Sequence, residues 1–253
     1  MTASLAGRVA LVTGAGRGIG RALSLGLVRA GAGVAILARS EDELNQVARA
    51  ANALGGAALV VTADVGDQGQ VADAASRVQR ELGTVEVLIN NAAVVWPLGP
   101  TSLIDPADWA AAMAINVIGP VTLTRALLPG MLERGWGRIV NVSSGIAAYP
   151  AAMIGGNAYA ATKAALEAHT LNLAAELAGS GVTVNAFRPG TVDTTMQAWI
   201  RSQPPEKIGA GLHARFTRAF EQGSLITPEE SVRALLNHLP STQTGEIWSV
   251  TAP

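Results

Sequence analysis

Seven short runs of β-branched and apolar residues punctuate the chain: "RVALVTG", "GVAILAR", "ALVVTAD", "VEVLINN", "GRIVNVS", "VTVNAFRPG" and, near the carboxyl end, "GEIWSV". Their inner positions are apolar almost without alternation, the pattern of strands buried on both faces. Between them lie alanine- and leucine-rich stretches with helical spacing of apolar residues, the last near Pro228 to Leu239. Strands alternating with helices predict an α/β fold: a doubly wound parallel sheet of about seven strands, with right-handed crossovers placing helices on both faces. No linker or low-complexity segment divides residues 1–253, so a single domain is expected.

One region breaks this rhythm. From Thr191 to Thr227 the chain carries "QPPEK", "GAG" and "EQGSL" between short helical pieces, where a brief strand-to-helix loop would suffice. Ligands bind beyond the carboxyl ends of parallel strands, so residues 191–227 are expected to form a substrate-binding lid. A purely structural insertion is the alternative.

Composition narrows the classes of ligand. At 253 residues and 49% hydrophobic, the chain can bury a substantial core. Its net charge is −1, with charges interspersed and no basic cluster, which argues against nucleic-acid and anionic-membrane partners and for a small-molecule ligand. The absence of cysteine removes disulfides and thiolate chemistry, and His169, His213 and His238 are too scattered for a metal site. The apolar run Val9 to Val12 is too short for a signal-peptide core or a membrane span, so a cytoplasmic protein is expected.

The segment "LVTGAGRGIGRAL" joins the first strand to a helix, with Gly14, Gly18 and Gly20 in the register G-x-x-x-G-x-G and Ile19 where a G-x-G-x-x-G motif has its last glycine. Glycines there allow a tight turn and close backbone approach to a pyrophosphate, while the helix N-terminus offers N–H groups to the anion. This is the Rossmann arrangement for a dinucleotide; a glycine-rich turn without a ligand is the alternative. The second strand ends Leu37-Ala38-Arg39-Ser40, lacking the acidic residue that binds ribose hydroxyls at NAD sites. Ser40 and Glu43 have the spacing of a capping box for the next helix. Arg17 and Arg39 are placed to flank a 2′-phosphate, with Ser40 as a further donor, so NADP(H) is the expected cofactor. Two solvated surface arginines are the alternative.

In "NAYAATKAAL", Tyr159 precedes Lys163 by four residues, so a helix presents both on one face. An ammonium beside the phenol is expected to lower its pKa and make it a usable acid. A surface Tyr/Lys pair is the competing account.

Taken in order, "TGAGRGIG", Asp64-Val65, "NNAA" (Asn90–Ala93), Ile115-Asn116, "NVSS" (Asn141–Ser144), "YAATK" and "RPGTVDT" (Arg188–Thr194) resemble the short-chain dehydrogenases/reductases over nearly the whole chain. The resemblance implies that Tyr159 is the general acid/base of hydride transfer at a carbonyl or alcohol. It implies that Lys163 depresses the tyrosine pKa and binds the nicotinamide ribose, that Ser144 holds the carbonyl oxygen, and that Asn116 anchors a water for proton resupply. By the same resemblance Asp64 and Val65 serve the adenine, Asn90 and Ala92 the adenosine side, and Pro189, Gly190, Val192 and Thr194 the nicotinamide amide. A homodimer or homotetramer is also implied, through helices around Trp109–Met131 and Asn157–Ala178.

Three departures stand out. Ala93 replaces a common glycine. Ser144 lies fifteen residues before Tyr159, a longer span than usual, which is expected to bulge and reshape the substrate entrance. The chain ends "TGEIWSVTAP" without the "VDGG"-like ending of many tetrameric members.

The cleft walls are expected to include Trp96, Ala148, Tyr149, Met153, Met196 and Trp199, an apolar surface suited to ketones or diketones. Segments such as "PGTVDTTMQAWIRSQ" are loosely similar to the benzil reductase and sepiapterin reductase subgroup. An NADPH-dependent carbonyl reductase is therefore the expected function. The alternatives are a 3-ketoacyl thioester reductase and, from another class, a non-catalytic NADP(H)-binding regulator, which would be expected to lack the tyrosine or the lysine.

Overall fold

The computed structural model describes residues 5–250. The start of the domain and the final "TAP" of the altered carboxyl terminus lie outside the described residues. The path opens β1 (Val9–Thr13), α1 (Gly18–Arg29), β2 (Gly33–Ala38), α2 (Glu41–Ala53), β3 (Ala58–Thr62), α3 (Gln68–Leu82) and β4 (Val87–Asn90). It continues through α4 (Pro106–Met113), a π-helical turn (Ala114–Ile118), α5 (Gly119–Glu133), β5 (Gly137–Val142), α6 (Asn157–Glu176) and β6 (Val182–Arg188). Helices α7 (Thr195–Ser202), α8 (Pro205–Ile208), α9 (Ala210–Glu221) and α10 (Pro228–His238) precede β7 (Ile247–Ser249).

All the strand pairs are parallel, in the order β3-β2-β1-β4-β5-β6-β7, so each of the seven apolar runs supplies one strand. Residue parity distributes the core. Ala10, Val12, Val34, Ile36, Val87 and Ile89 face one layer with Leu23 and Leu27 of α1, Leu44 and Val47 of α2, and Leu235 of α10. Their neighbours Leu11, Ala35, Leu37 and Leu88 face the other, with Val71 and Val78 of α3 and Leu123 and Leu127 of α5. Burial on both faces is why these strands lack apolar/polar alternation. The connection from β3 to β4 returns across the sheet, and the chain therefore diverges between β1 and β4, opening a crevice at their carboxyl ends.

Two segments build the far side of that crevice. The excursion after β6 folds as α7 to α9 and is closed at its base by a parallel bridge between Val192 and Ile226. The long Ser144–Tyr159 span does not bulge freely. It forms two 3₁₀ turns, Gly145–Ala147 and Pro150–Met153, and Gly155 O accepts from Gly99 N at 2.8 Å. A Cβ on Gly155 would meet Ile208 O at 2.9 Å, and one on Gly99 would meet Lys207 O at 2.9 Å, so both segments abut α8 backbone to backbone. Beneath them Val95, Leu98, Ile146, Met153, Ile208 and Leu212 form a third apolar cluster.

The apolar helix from Pro106 to Glu133 is 28 residues long, passes the length and hydropathy expected of a membrane span, and has 44% of its most apolar window buried. Its inner face packs on α3 and α6 as part of the hydrophobic core.

The entries to β5 and β6 provide a test of these close approaches. Gly135 (φ 58°) and Gly181 (φ 82°) both have left-handed backbone. A Cβ on Gly181 would lie 2.0 Å from Gly135 O, whereas one on Gly135 meets nothing within 4 Å. Gly135→Ala should cost about 1 kcal/mol, the left-handed penalty alone, and Gly181→Ala roughly 3 kcal/mol or more. Urea unfolding of the two variants measures the difference; equal losses would contradict the packing described.

Candidate active site

The crevice holds a cavity of about 620 Å³. One wall is the loop from β1 to α1. Gly14 and Gly18 have φ of 62° and 52°, which a side chain rarely adopts. A Cβ on Gly20 would lie 2.1 Å from Gly14 O, and one on Gly14 2.9 Å from Ala92 Cα, so the loop closes only with glycine at both places. Thr13 Oγ accepts from the N–H groups of Asn91 and Ala92, each at 3.0 Å, while Asn91 Nδ2 donates to Thr13 O at 2.9 Å and Gly14 O at 3.2 Å. The β1 and β4 strand ends are thereby locked together. Helix α1 begins at Gly18 and its N-cap residue, Arg17, makes no side-chain capping bond. Its first N–H groups are thus left for an anion in the cavity. Glycine cradle, uncapped helix and adjacent arginines fit a dinucleotide pyrophosphate.

Gly14, Arg17, Gly18, Ile19 and Gly20 line the cavity, as do Arg39, Ser40, Asp64, Val65 and Ala92. Both arginines are already engaged: Arg17 with Glu43 at 3.2 Å and Arg39 with Asp64 at 3.7 Å. The expected capping box is therefore half formed. Ser40 Oγ accepts from Glu43 N at 3.3 Å, while the Glu43 carboxylate turns to Arg17. Asn90 departs from expectation, because its side chain points inward and donates to Asn141 Oδ1 at 2.8 Å; its neighbour Asn91 lines the cavity instead. A one-residue step along a strand end reverses the side chain's face.

At the β6 end, Pro189 and Thr194 line the cavity, but Gly190 and Val192 do not. Gly190 (φ 79°) turns the chain, and Val192 is buried against Ile226. The bridge there uses Thr191 O and Asp193 N, leaving Val192's own N–H and C=O on the opposite side.

Tyr159 and Lys163 stand on one face of α6 and both line the cavity, with Lys163 Nζ 5.7 Å from the Tyr159 ring centre. Lys163 Nζ donates to Val142 O at 2.7 Å. Ser144, at the β5 end, is not among the residues that line the cavity; its Oγ accepts from Ile146 N at 3.3 Å, and its hydroxyl acts on the neighbouring Tyr159 phenol in the sense that favours the phenolate. Asn116 lies in the π turn, fully buried, and its side chain is committed: Oδ1 accepts from Val94 N at 2.8 Å, and Nδ2 donates to Val94 O at 2.8 Å and Thr162 Oγ at 3.0 Å. Its amide fastens the Val94 segment to α6 and does not reach Lys163.

The substrate wall is partly as expected. Trp96, Met196 and Trp199 line the cavity with Val94 and Val95. Met153 does not; it is buried in the third apolar cluster, and Gly156 leaves room for it. Ala148 and Tyr149 also miss the cavity, because the 3₁₀ turns carry them outward and leave Tyr149 72% exposed. Unanticipated is a buried carboxylate below Lys163. Glu167, next on the same helical face, accepts from Ser143 Oγ at 2.7 Å and from Arg188 at 2.8 Å through both oxygens. A third polar residue at i+8 from Tyr159 was its signal in the sequence.

Burial pushes the Tyr159 phenol above its ordinary value, opposed by the Ser144 hydrogen bond. The expected lowering by Lys163 is absent, since the ammonium's short bond goes to Val142 O while desolvation of the phenol dominates. Burial also brings Lys163 down to about 8, against Glu167, which favours its charge. Between that value and the ordinary lysine pKa near 10.4, the unfolded chain holds a proton that the folded chain has released. Stability should therefore rise with pH across this window, by up to about 3 kcal/mol, until the raised Tyr159 pKa reverses the trend above about pH 10. Urea midpoints from pH 7 to 11 check this against Lys163→Met, which should lack the rise.

The chain is similar to known proteins in sequence and in fold. Residues 8–205 match the short chain dehydrogenase family. A short chain dehydrogenase of Pseudocercospora fijiensis is 40% identical over 198 residues, 77% of this chain, though the match spans only 62% of that protein's length. The 3-oxoacyl-acyl-carrier-protein reductase of Pseudomonas aeruginosa is 40% identical over 195 residues, covering 76% of this chain and 77% of its own. Among solved structures, L-sorbose reductase from Gluconobacter frateurii, complexed with NADPH and L-sorbose, has a TM-score of 0.87 at 26% identity, over 99% of this chain and 97% of that one. With a family match over most of its length and the fold and cleft just described, the chain belongs to the short chain dehydrogenase family and is an oxidoreductase.

Proposed function

We propose that the protein is an NADPH-dependent carbonyl reductase that converts apolar ketones or diketones to alcohols, reversibly. One observation carries the reading: the glycine cradle, Tyr159 and Lys163 share a single cavity with Trp96, Met196 and Trp199. Gly14, Gly18, Ile19 and Gly20 hold the pyrophosphate, and Arg17, Arg39 and Ser40 hold the 2′-phosphate. Asp64, Val65 and Ala92 take the adenosine side. Pro189, Thr194 and the backbone N–H and C=O of Val192 take the carboxamide. When bound, NADPH supplies the hydride that reduces the carbonyl carbon.

The chain's own groups handle the oxygen. Ser144 and Tyr159 donate hydrogen bonds to it, and Tyr159 then transfers its proton as negative charge develops. A phenol pKa raised by burial keeps Tyr159 protonated at neutral pH, ready to act as an acid. Lys163, still largely charged below pH 8, binds the ribose and stabilises the phenolate after transfer. Asn116, in the π turn, holds the Val94 segment against α6 beside this pair. Helices α7 to α9 act as a lid, with Trp199 facing the substrate from α7. A second copy covers the exposed face of α4, α5 and α6 in a cytoplasmic homodimer or homotetramer.

Two sibling readings are weaker. A sugar needs several converging polar groups, and Val94, Val95, Trp96, Met196 and Trp199 offer a largely apolar wall. A carrier-linked thioester needs a basic docking surface, and the sequence offers scattered arginines such as Arg125, Arg134 and Arg201 with no basic cluster. An NADPH-oxidation screen across aryl ketones, 1,2-diketones, sugars and 3-ketoacyl thioesters decides among them. Turnover of thioesters with none of ketones or diketones would promote the thioester reading.

Tyr159→Phe should lose at least about a hundredfold in kcat while still binding NADPH, because it removes one proton and leaves the ring. A rate above about a hundredth of the original would refute the acid role. Arg39→Asp should lower the NADPH-to-NADH preference by about tenfold or more, since it sets a second carboxylate beside Asp64 where the phosphate binds. An unchanged ratio of kcat/KM values would reject the phosphate assignment.

A further inference from the structure

Helix α6 presents Tyr159, Lys163 and Glu167 at successive steps of four residues along one face, and Glu167 is only 7% exposed. Its rise of about 1.5 Å per residue sets Glu167 about 12 Å beyond Tyr159, too far to touch a reacting carbonyl. What Glu167 does touch are the ends of two strands. Oε1 accepts from Ser143 Oγ at 2.7 Å and Arg188 Nε at 2.8 Å, and Oε2 accepts from Arg188 Nη2 at 2.8 Å. Ser143 lies between Val142, whose carbonyl accepts a hydrogen bond from Lys163 Nζ at 2.7 Å, and Ser144. Arg188 precedes Pro189, which lines the cavity.

We propose that Glu167 is a positioning residue of the reaction: it fixes the β5 and β6 ends against α6 and is the counter-charge that keeps Lys163 protonated in its buried site. The role rests on the functions given above to Lys163 and Ser144.

Charge counting supports it. The groups that bear on Lys163 are Tyr159 and Glu167 from α6, and through Glu167 the guanidinium of Arg188 from β6, which also feels Tyr149 from the 3₁₀ loop. The β5 end and the π turn offer only uncharged groups: the Val142 carbonyl, the serine hydroxyls and the Asn116 amide. With Glu167 ionised, the buried Lys163 and Glu167 and the partly exposed Arg188 together carry one net positive charge. Without it, the buried ammonium faces a nearby guanidinium with no opposing charge, and lysine, not arginine, is the one that releases its proton. Glu167 already acts in this sense, holding Lys163 up against desolvation.

A purely architectural ion pair would predict something different. Arg188 alone satisfies both Glu167 oxygens with two parallel bonds, which is enough for a structural clamp. Placement four residues after Lys163, on the same face, adds the electrostatic role, and that role is measurable without turnover.

The chain has two lysines, Lys163 and Lys207. Protein labelled with ¹³C at lysine Cε therefore gives two titration curves, and Lys207→Arg assigns them. In the unmodified protein Lys163 should titrate near 8. Glu167→Gln should lower that midpoint by about one unit or more, Glu167→Asp should move it less, and Arg188→Gln should raise it by releasing the carboxylate toward Lys163. The alkaline limb of kcat/KM should follow the same order. A Lys163 midpoint unmoved in Glu167→Gln, or equal shifts in the Gln and Asp variants, would overturn the proposal. If Glu167→Gln does not fold, Arg188→Gln decides by the opposite sign: a rise supports the proposal and no rise overturns it. Titration as expected in a protein that oxidises no NADPH with any carbonyl would leave the role of Glu167 standing and remove the proposed function.

Discussion

Everything in the cleft is arranged around one costly group, the ammonium of Lys163, held almost wholly out of water at 2% exposure. A buried cation survives only where hydrogen-bond acceptors and opposite charge replace its hydration. Val142 O supplies the first and Glu167 the second. Each fixes a different element. The carbonyl belongs to the end of β5, the carboxylate to α6, and the carboxylate in turn grips Arg188 at the end of β6. Satisfying the lysine therefore sets the distance between helix and sheet that brings Tyr159 to Ser144. The same burial that lowers Lys163 raises Tyr159, so one cause drives the two pKa values apart and leaves a phenol that retains its proton beside an ammonium near its release point.

Topology puts this pair beside the glycine loop. Strand order reverses at β1, so the loops leaving β1 and β4 part from each other, and Thr13 and Gly14 tie them through bonds to Asn91 and Ala92. The bonds between those residues determine the depth of the crevice. A Cβ at Gly20 would strike Gly14 O, which makes the tightness of the first turn a condition for α1 to aim its uncapped N-terminus into the cavity. Cofactor cradle and reacting groups thus come from opposite halves of the sheet, joined where the chain changes direction.

The sequence was most legible where one residue type meets one geometric demand. Strands buried on both faces wrote themselves as unbroken apolar runs; glycines at Gly14 and Gly20 marked backbone contact; Tyr159 and Lys163 shared a helical face. It was less legible where the meaning depends on which way a side chain turns at an irregular strand end. Asn90 and Asn91 are identical letters, yet one pairs with Asn141 inside and the other locks the glycine loop. Met153 reads equally well as cleft wall or core, and two 3₁₀ turns decide for core. Glu43 fits a capping box by spacing, but Arg17 competes for its carboxylate, and charge outweighs a cap bond on an exposed surface. Glu167 was not legible because an acid in an alanine-rich helix has the look of a solvated position until β6 brings Arg188 over it.

The ion pairs at the cavity's far end sharpen what the proposed 2′-phosphate must do. Arg17 and Arg39 are each paired with a carboxylate, and their side chains are 61% and 67% exposed. Exposed pairs of this kind contribute only about 0–1 kcal/mol apiece, because solvent screens them and two long side chains must be held still. A phosphate, with more charge and three acceptor oxygens in reach of both guanidiniums, replaces such partners at little cost. Glu43 and Asp64 then remain close by as unpaired carboxylates and repel the same phosphate. Cofactor choice at this end of the cleft is thus a difference between two arginines that attract and two acids that do not leave, and its size depends on how far Glu43 can swing from Arg17 into water. Packed against Gly16, where even a Cβ would touch its Oε2 at 2.8 Å, Glu43 has solvent as its one direction of retreat.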